Sequence, residues 1–90
     1  IKKNAIHGNP DLVVEIMSPS STFYDTVEKK EVYRKYGVQE YWLVFPDEKG
    51  IEVLTLEKQG YREFCKARKK GMVKSKMLEG LEVDLKEVFD

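Results

Sequence analysis

Glu15 interrupts an otherwise apolar run, Asp11-Leu-Val-Val-Glu-Ile-Met17, and Asp25, Lys29 and Tyr33 follow at intervals of four. The run is rich in β-branched residues and bounded by turn signals, so it reads as a buried strand. Side chains alternate along a strand, which puts Asp11, Val13, Glu15 and Met17 on one face and Leu12, Val14 and Ile16 on the other. A carboxylate in such a place is costly to bury unless it is paired or holds a cation. An edge strand whose Glu15 face meets water accounts for the pattern equally well. Asp11 shares the face of Glu15, but four residues of strand span roughly 13 Å. The oxygens of one hard cation each lie about 2.0–2.6 Å from it, so the two acids share an ion only if the strand bends sharply. Asp11 therefore reads as structural, bonding the turn at Gly8–Pro10 or the chain after it. Glu15 needs its acidic partner from another strand, and no later strand offers an obvious one.

Asp25, Lys29 and Tyr33 line one face of a helix. As a surface pair, an acid four residues before a base contributes only about 0.2–0.5 kcal/mol and is common. What distinguishes Lys29 is its place on the helix directly after the Glu15 strand, from which its ammonium could reach back over the sheet. A lysine beside a metal-bound water can stabilise a hydroxide nucleophile or the negative charge gathering at a reacting phosphate. His7, alone in a polar lead-in, reads as a surface residue, and Cys65 as a packed, inert thiol. Ser18 and Ser20 have no base arranged near them, which argues against a serine hydrolase. Lys66, Arg68, Lys69, Lys70, Lys74 and Lys76 follow one another with no acid between the first and the last. This stretch could track phosphates. The absence of interleaved aromatic residues for base stacking favours a solvated strand and turn instead.

The elements that must position these groups follow in order. After the first strand, Ser18-Pro19-Ser20-Ser21-Thr22 breaks the chain and offers N-caps. A helix is predicted from about Asp25 to Tyr36, ended by Gly37. A second strand runs from Val38 to Phe45, and a loop over 46–50 leads into a third at 51–56. Gln59-Gly60 turns into a fourth at 61–67, and residues 71–90 supply a short strand and a helical turn that close the core. The order predicts a mixed α/β domain with one helix packed on a curved, mostly antiparallel sheet.

Ninety residues, 41 % of them hydrophobic, support a single small domain with a genuine core. Sixteen basic residues balance sixteen acidic ones, so attraction to nucleic acid must come from local patches. The one cysteine excludes an internal disulfide and suits a reducing, cytoplasmic setting. No apolar run approaches the roughly 20 residues of a membrane span.

Taken together, Gly8-Asn-Pro-Asp11-Leu-Val-Val-Glu15-Ile-Met-Ser-Pro-Ser20, then Asp25-x-x-x-Lys29-x-x-x-Tyr33, then Gly37-Val-x-Glu40-Tyr41-Trp42-Leu-Val44, resemble the Uma family of restriction-endonuclease-like proteins. That family lies within the PD-(D/E)xK nuclease superfamily. The likeness runs from about residue 5 to 56, with a looser match at 74–81. It implies a restriction-endonuclease-like mixed sheet with a helix after the site strand, and a metal-dependent endonuclease acting on DNA. The lysine usual two residues after the glutamate is absent, Met17 standing there; Lys29 matches the position to which the family's lysine has moved. The resemblance implies that Glu15 holds Mg²⁺ or Mn²⁺ with help from the Ile16 main-chain carbonyl. Lys29 would serve the attacking water, with Tyr33 and Asp11 in support. The family's first metal acid lies upstream of the Gly-x-Pro-Asp motif, which leads us to expect residues 1–90 to be the C-terminal portion of one such domain. Phe45 stands where the family usually has Asp. These departures leave an alternative, a catalytically silent nucleic-acid-binding or protein-interaction module on the same scaffold. A sheet cut short would also expose strand edges, which favour self-association into a homodimer.

Overall fold

The computed structural model describes residues 11–17 and 23–89, with only the backbone for residues 23–26. His7, the turn at residues 8–10, the segment at 18–22 and the side chain of Asp25 therefore lie outside the described residues. Four strands form one mixed sheet in the order β1 (Leu12–Ile16), β2 (Glu40–Phe45), β3 (Gly50–Glu57), β4 (Gly60–Arg68). β1 and β2 run parallel, joined through helix α1 (Phe23–Lys35), while β2, β3 and β4 form an antiparallel meander. A two-stranded ribbon of β5 (Met72–Lys74) and β6 (Glu82–Asp84), followed by α2 (Leu85–Phe89), completes the chain. No described helix is long and apolar enough to cross a membrane.

The helix end determines where the later site residues stand. Gly37 adopts a left-handed φ of 74°. Its N–H donates to the Arg34 carbonyl at 3.0 Å, and the Val38 N–H donates back to that of Tyr33 at 2.9 Å. This is the Schellman arrangement, which satisfies the last helical carbonyls and turns the chain sharply into β2. It also explains why β2 begins at Glu40 rather than at Val38, the start predicted from composition: Val38 is committed to the cap and buried beneath it.

Alternation along β2 divides the core into two layers. On one face Val13, Val38, Tyr41, Leu43 and Leu54 pack with Met17, Tyr33, Phe45 and Tyr61. On the other, Trp42, Ile51, Val53, Val73 and Leu85 pack with Leu12, Val14 and Val44. The sheet is thus covered on both faces, by α1 and by the β5–β6–α2 layer, whereas the sequence pattern suggested one helix on one face and a single late strand. The second late strand is only three residues long, too short for periodicity to reveal.

The second layer is fastened by a buried acid that the sequence did not single out. Glu40 is fully buried and accepts from Trp42 Nε1 at 2.7 Å, the Lys76 N–H at 2.9 Å and the Met77 N–H at 3.1 Å. Burial pushes its carboxyl up. Hydrogen bonds from Ser75, Trp42 and the Met77 and Lys76 amides outweigh that and hold it below the usual carboxylate range. A depressed folded-state pKa contributes stability above the unfolded value, lost as pH falls through the folded one. Glu40→Gln places an amide N–H₂ against the Trp42 donor and removes the charge. A loss of about 1–3 kcal/mol is expected, seen as a thermal midpoint lower by roughly 5–15 °C, with less further loss on acidification than the parent shows. An unchanged midpoint would remove Glu40 from this role.

Candidate functional site

Among the described residues β1 forms an edge of the sheet, yet Glu15 does not meet water: it is 4 % exposed, because α1 lies over this face. Of the two readings of Glu15, the solvated face is therefore excluded and the covered one holds. Lys29 Nζ lies 3.0 Å from Glu15 Oε2, and the Tyr33 hydroxyl donates to Glu15 Oε1. Lys29 and Tyr33, one helical turn apart, thus converge on the two oxygens of one carboxylate. The Lys29 side chain remains 42 % exposed, so the pair has a buried end and a wet end.

Tyr33 is fixed from behind. Its ring packs edge-on against Tyr41, centroids 5.1 Å apart, and Tyr41 packs in the same way against Tyr61 at 5.8 Å. The Tyr61 hydroxyl donates to the Val38 carbonyl at 2.8 Å, tying this row to the helix cap. Burial raises the Tyr33 hydroxyl's pKa well above its ordinary value, reinforced by its bond to Glu15 and by the carboxylate's charge. Tyr41 is raised by burial and then by the charge of Glu15; burial alone pushes Tyr61 up to about 12. The Tyr41 hydroxyl is buried with no hydrogen-bond partner among the described residues, a cost natural cores seldom carry. Sequence inspection missed Tyr41, because only the pairing Val13↔Tyr41 puts it beside Glu15.

Other residues stay apart. The Asp11 side chain is exposed, and its main-chain carbonyl accepts from the Glu40 N–H at 3.0 Å, so it anchors the start of the β1–β2 ladder. Glu52 shares the row Glu15–Leu43–Glu52–Lys66. It lies two strand spacings away, roughly 9.6 Å, with Leu43 between. Among the described residues no three His, Cys, Asp or Glu side chains are grouped to hold a metal.

The Ile16 carbonyl has a definite direction. Asp11 O and Met17 N both bond to β2, and strand groups alternate, so the N–H and C=O of Leu12, Val14 and Ile16 face away from β2, toward the side of β1 that no other described strand covers. An oxygen donor therefore stands at the edge, next in sequence to Glu15.

The chain matches the model of the Uma2 family, described as "Putative restriction endonuclease", over residues 2–86. It also shares its fold with a crystal structure from Anabaena variabilis ATCC 29413 described as a "putative nuclease belonging to DUF820". The two are 25 % identical with a TM-score of 0.68, over 92 % of this chain and 45 % of that one. The chain thus spans less than half the length of that relative. No curated protein matches it.

Tyr33→Phe removes one donor to Glu15 and is expected to lower stability at neutral pH by about 1–2 kcal/mol. A raised folded-state pKa contributes stability that is full below the unfolded value of about 10 and is lost as pH rises through the folded one. Urea unfolding at pH 7 and at about pH 10.5 should therefore show the parent's advantage over the Tyr33→Phe variant narrowing in alkali. An advantage that stays constant would mean that the hydroxyl is not bonded to the carboxylate.

Proposed function

The chain belongs to the Uma2 family, and from that premise we propose that it carries the Glu15–Lys29 part of a metal-dependent endonuclease site that hydrolyses phosphodiester bonds in DNA. The observation that supports this most is the buried Glu15 carboxylate held between Lys29 and Tyr33. Burying an acid and supplying it with a cation and a hydroxyl is a costly arrangement for stability alone, since ion pairs in cores are often replaceable by apolar residues.

The donors on this edge are oxygens, the kind that suit Mg²⁺ or Mn²⁺. Glu15 and the Ile16 carbonyl would hold the ion, with remaining positions filled by water, substrate phosphate and any acid beyond the described residues. Bound there, the ion would lower the pKa of a coordinated water and offset charge at the phosphate. Lys29, with its ammonium at the wet end, would steady the attacking oxygen and the negative charge that grows on the phosphoryl group. Tyr33 would fix the carboxylate's orientation, so that neither Glu15 oxygen swings away.

A second reading, a silent nucleic-acid-binding or protein-interaction module, is favoured by one observation: among the described residues no three His, Cys, Asp or Glu side chains are grouped at this position. Cleavage of plasmid DNA by the intact protein separates the two. Nicking or linearisation that needs Mg²⁺ or Mn²⁺ is expected, abolished by Glu15→Ala and slowed about 100-fold or more by Lys29→Ala. Cleavage that persists in Glu15→Ala would exclude the role given to that residue, and its absence from the intact protein would favour the silent module.

A further inference from the structure

Part of the basic stretch at 66–76, Arg68 to Lys70, lies at the end of the sheet, whereas Lys76 pairs with Glu57 at the other end. β2 ends at Phe45 and β3 begins at Gly50, whose partner Arg68 ends β4. Two turns, at 46–49 and 68–71, therefore lie side by side beyond the same strand ends toward which Glu15 stands in β1. They are locked together: the Lys69 N–H donates to the Lys49 carbonyl at 2.7 Å, and Arg68 pairs with Glu48 at 2.8 Å. Beside them α2, which packs on the face of the sheet opposite Glu15, contributes Lys86, and the turns and α2 together line an open cleft of about 1020 Å³ that wraps the strand ends.

Two features make this rim more than solvated surface. Lys49 and Lys69 both have left-handed backbones, φ 52° and 68°, where glycine or asparagine fits with less strain. Two adjacent turns keep a lysine where a lysine is conformationally disfavoured, and outliers of this kind gather at functional positions. Second, Arg68 already neutralises Glu48, so that in the cleft Lys49, Lys69 and Lys86 stand against only Asp47 and Glu87, and Lys70 follows in the same turn; none of these lysines has an ion pair of its own among the described residues.

We infer that this strand-end rim, centred on Lys49, Lys69 and Lys70, carries the phosphates of a DNA duplex flanking the bond presented to Glu15. The inference rests on the nuclease reading and adds to it the surface that places the substrate. Arg68 lies three strand spacings across from β1 and two residues beyond the Glu15 row, which puts the rim roughly 16 Å from Glu15. At about 3.4 Å per base pair that is some five base pairs along a duplex, a distance over which DNA behaves as a stiff rod.

Binding of a fluorescein-labelled 20-base-pair DNA duplex to the intact protein, followed by anisotropy in EDTA across a potassium chloride series, tests the rim apart from cleavage. The combined variant Lys49→Gly, Lys69→Gly, Lys70→Ser gives the two left-handed positions a residue that accepts them, so its thermal midpoint should not fall. The dissociation constant should rise at least about tenfold, and the slope of log K against log salt should become shallower by about 2–3. Lys58→Ser, at the opposite end of the sheet, should leave both unchanged. Equal binding and slope in the triple variant would overturn the rim, as would an equal loss in Lys58→Ser. Rim failure alongside Glu15-dependent cutting leaves the nuclease reading intact. Rim-dependent binding by a protein that cuts nothing overturns the nuclease reading alone, and a protein that neither binds nor cuts overturns both.

Discussion

A carboxylate taken out of water must be given back what it loses, and the arrangement on the helix-covered face of this sheet follows from that requirement at Glu15. The residue sits on an edge strand but under a helix, and its two oxygens are met by an ammonium and a hydroxyl one helical turn apart. For both to reach it, α1 must lie at a set angle and depth over β1. The Gly37 cap sets where the helix stops, Tyr41 and Tyr61 set how deep Tyr33 lies, and the Tyr61 bond to Val38 joins the two constraints. Loosening any of these would leave a buried charge with fewer partners, a heavier loss than the removal of an apolar contact.

The sheet holds a second buried carboxylate, and the contrast is instructive. Glu40 is met by main-chain amides of the 76–77 segment and by the indole of its own strand. Two of its donors are main-chain amides, two are the Ser75 and Trp42 side chains, and none carries a charge, so it behaves as a rivet between the sheet and the outer layer. Glu15 is met by side chains of α1, one of them charged and half in solvent, beside main-chain groups that face away from β2. The same residue type on opposite faces is therefore bonded into the outer layer in one case and paired with a half-exposed lysine of α1 in the other.

Much of this could be read from the chain before any coordinates. Alternation placed Asp11, Val13, Glu15 and Met17 on one face, and spacing by four put Lys29 and Tyr33 on one side of α1, because both periodicities are local. Gly37 signalled the helix end through its freedom at positive φ. What stayed hidden depends on pairing between distant segments. The role of Tyr41 emerges only from its register with Val13, and that of Glu40 only when residues 75–77 fold back across the sheet. The solvated-face alternative for Glu15 failed for the same reason, since an edge strand is exposed or covered according to what the next helix does. The basic stretch was visible as composition, but the assembly of Arg68 and Lys69 with Lys49 and Lys86 at the strand ends was not.

The claim that Glu15, the Ile16 carbonyl and Lys29 surround one reaction point is tested most directly by anomalous diffraction from crystals of the intact protein soaked in Mn²⁺. A peak within about 2.0–2.6 Å of a Glu15 carboxylate oxygen and of the Ile16 carbonyl is expected, with the Lys29 ammonium facing the bound water or phosphate. A manganese peak elsewhere, with the Glu15 carboxylate still closed between Lys29 and Tyr33, would contradict it.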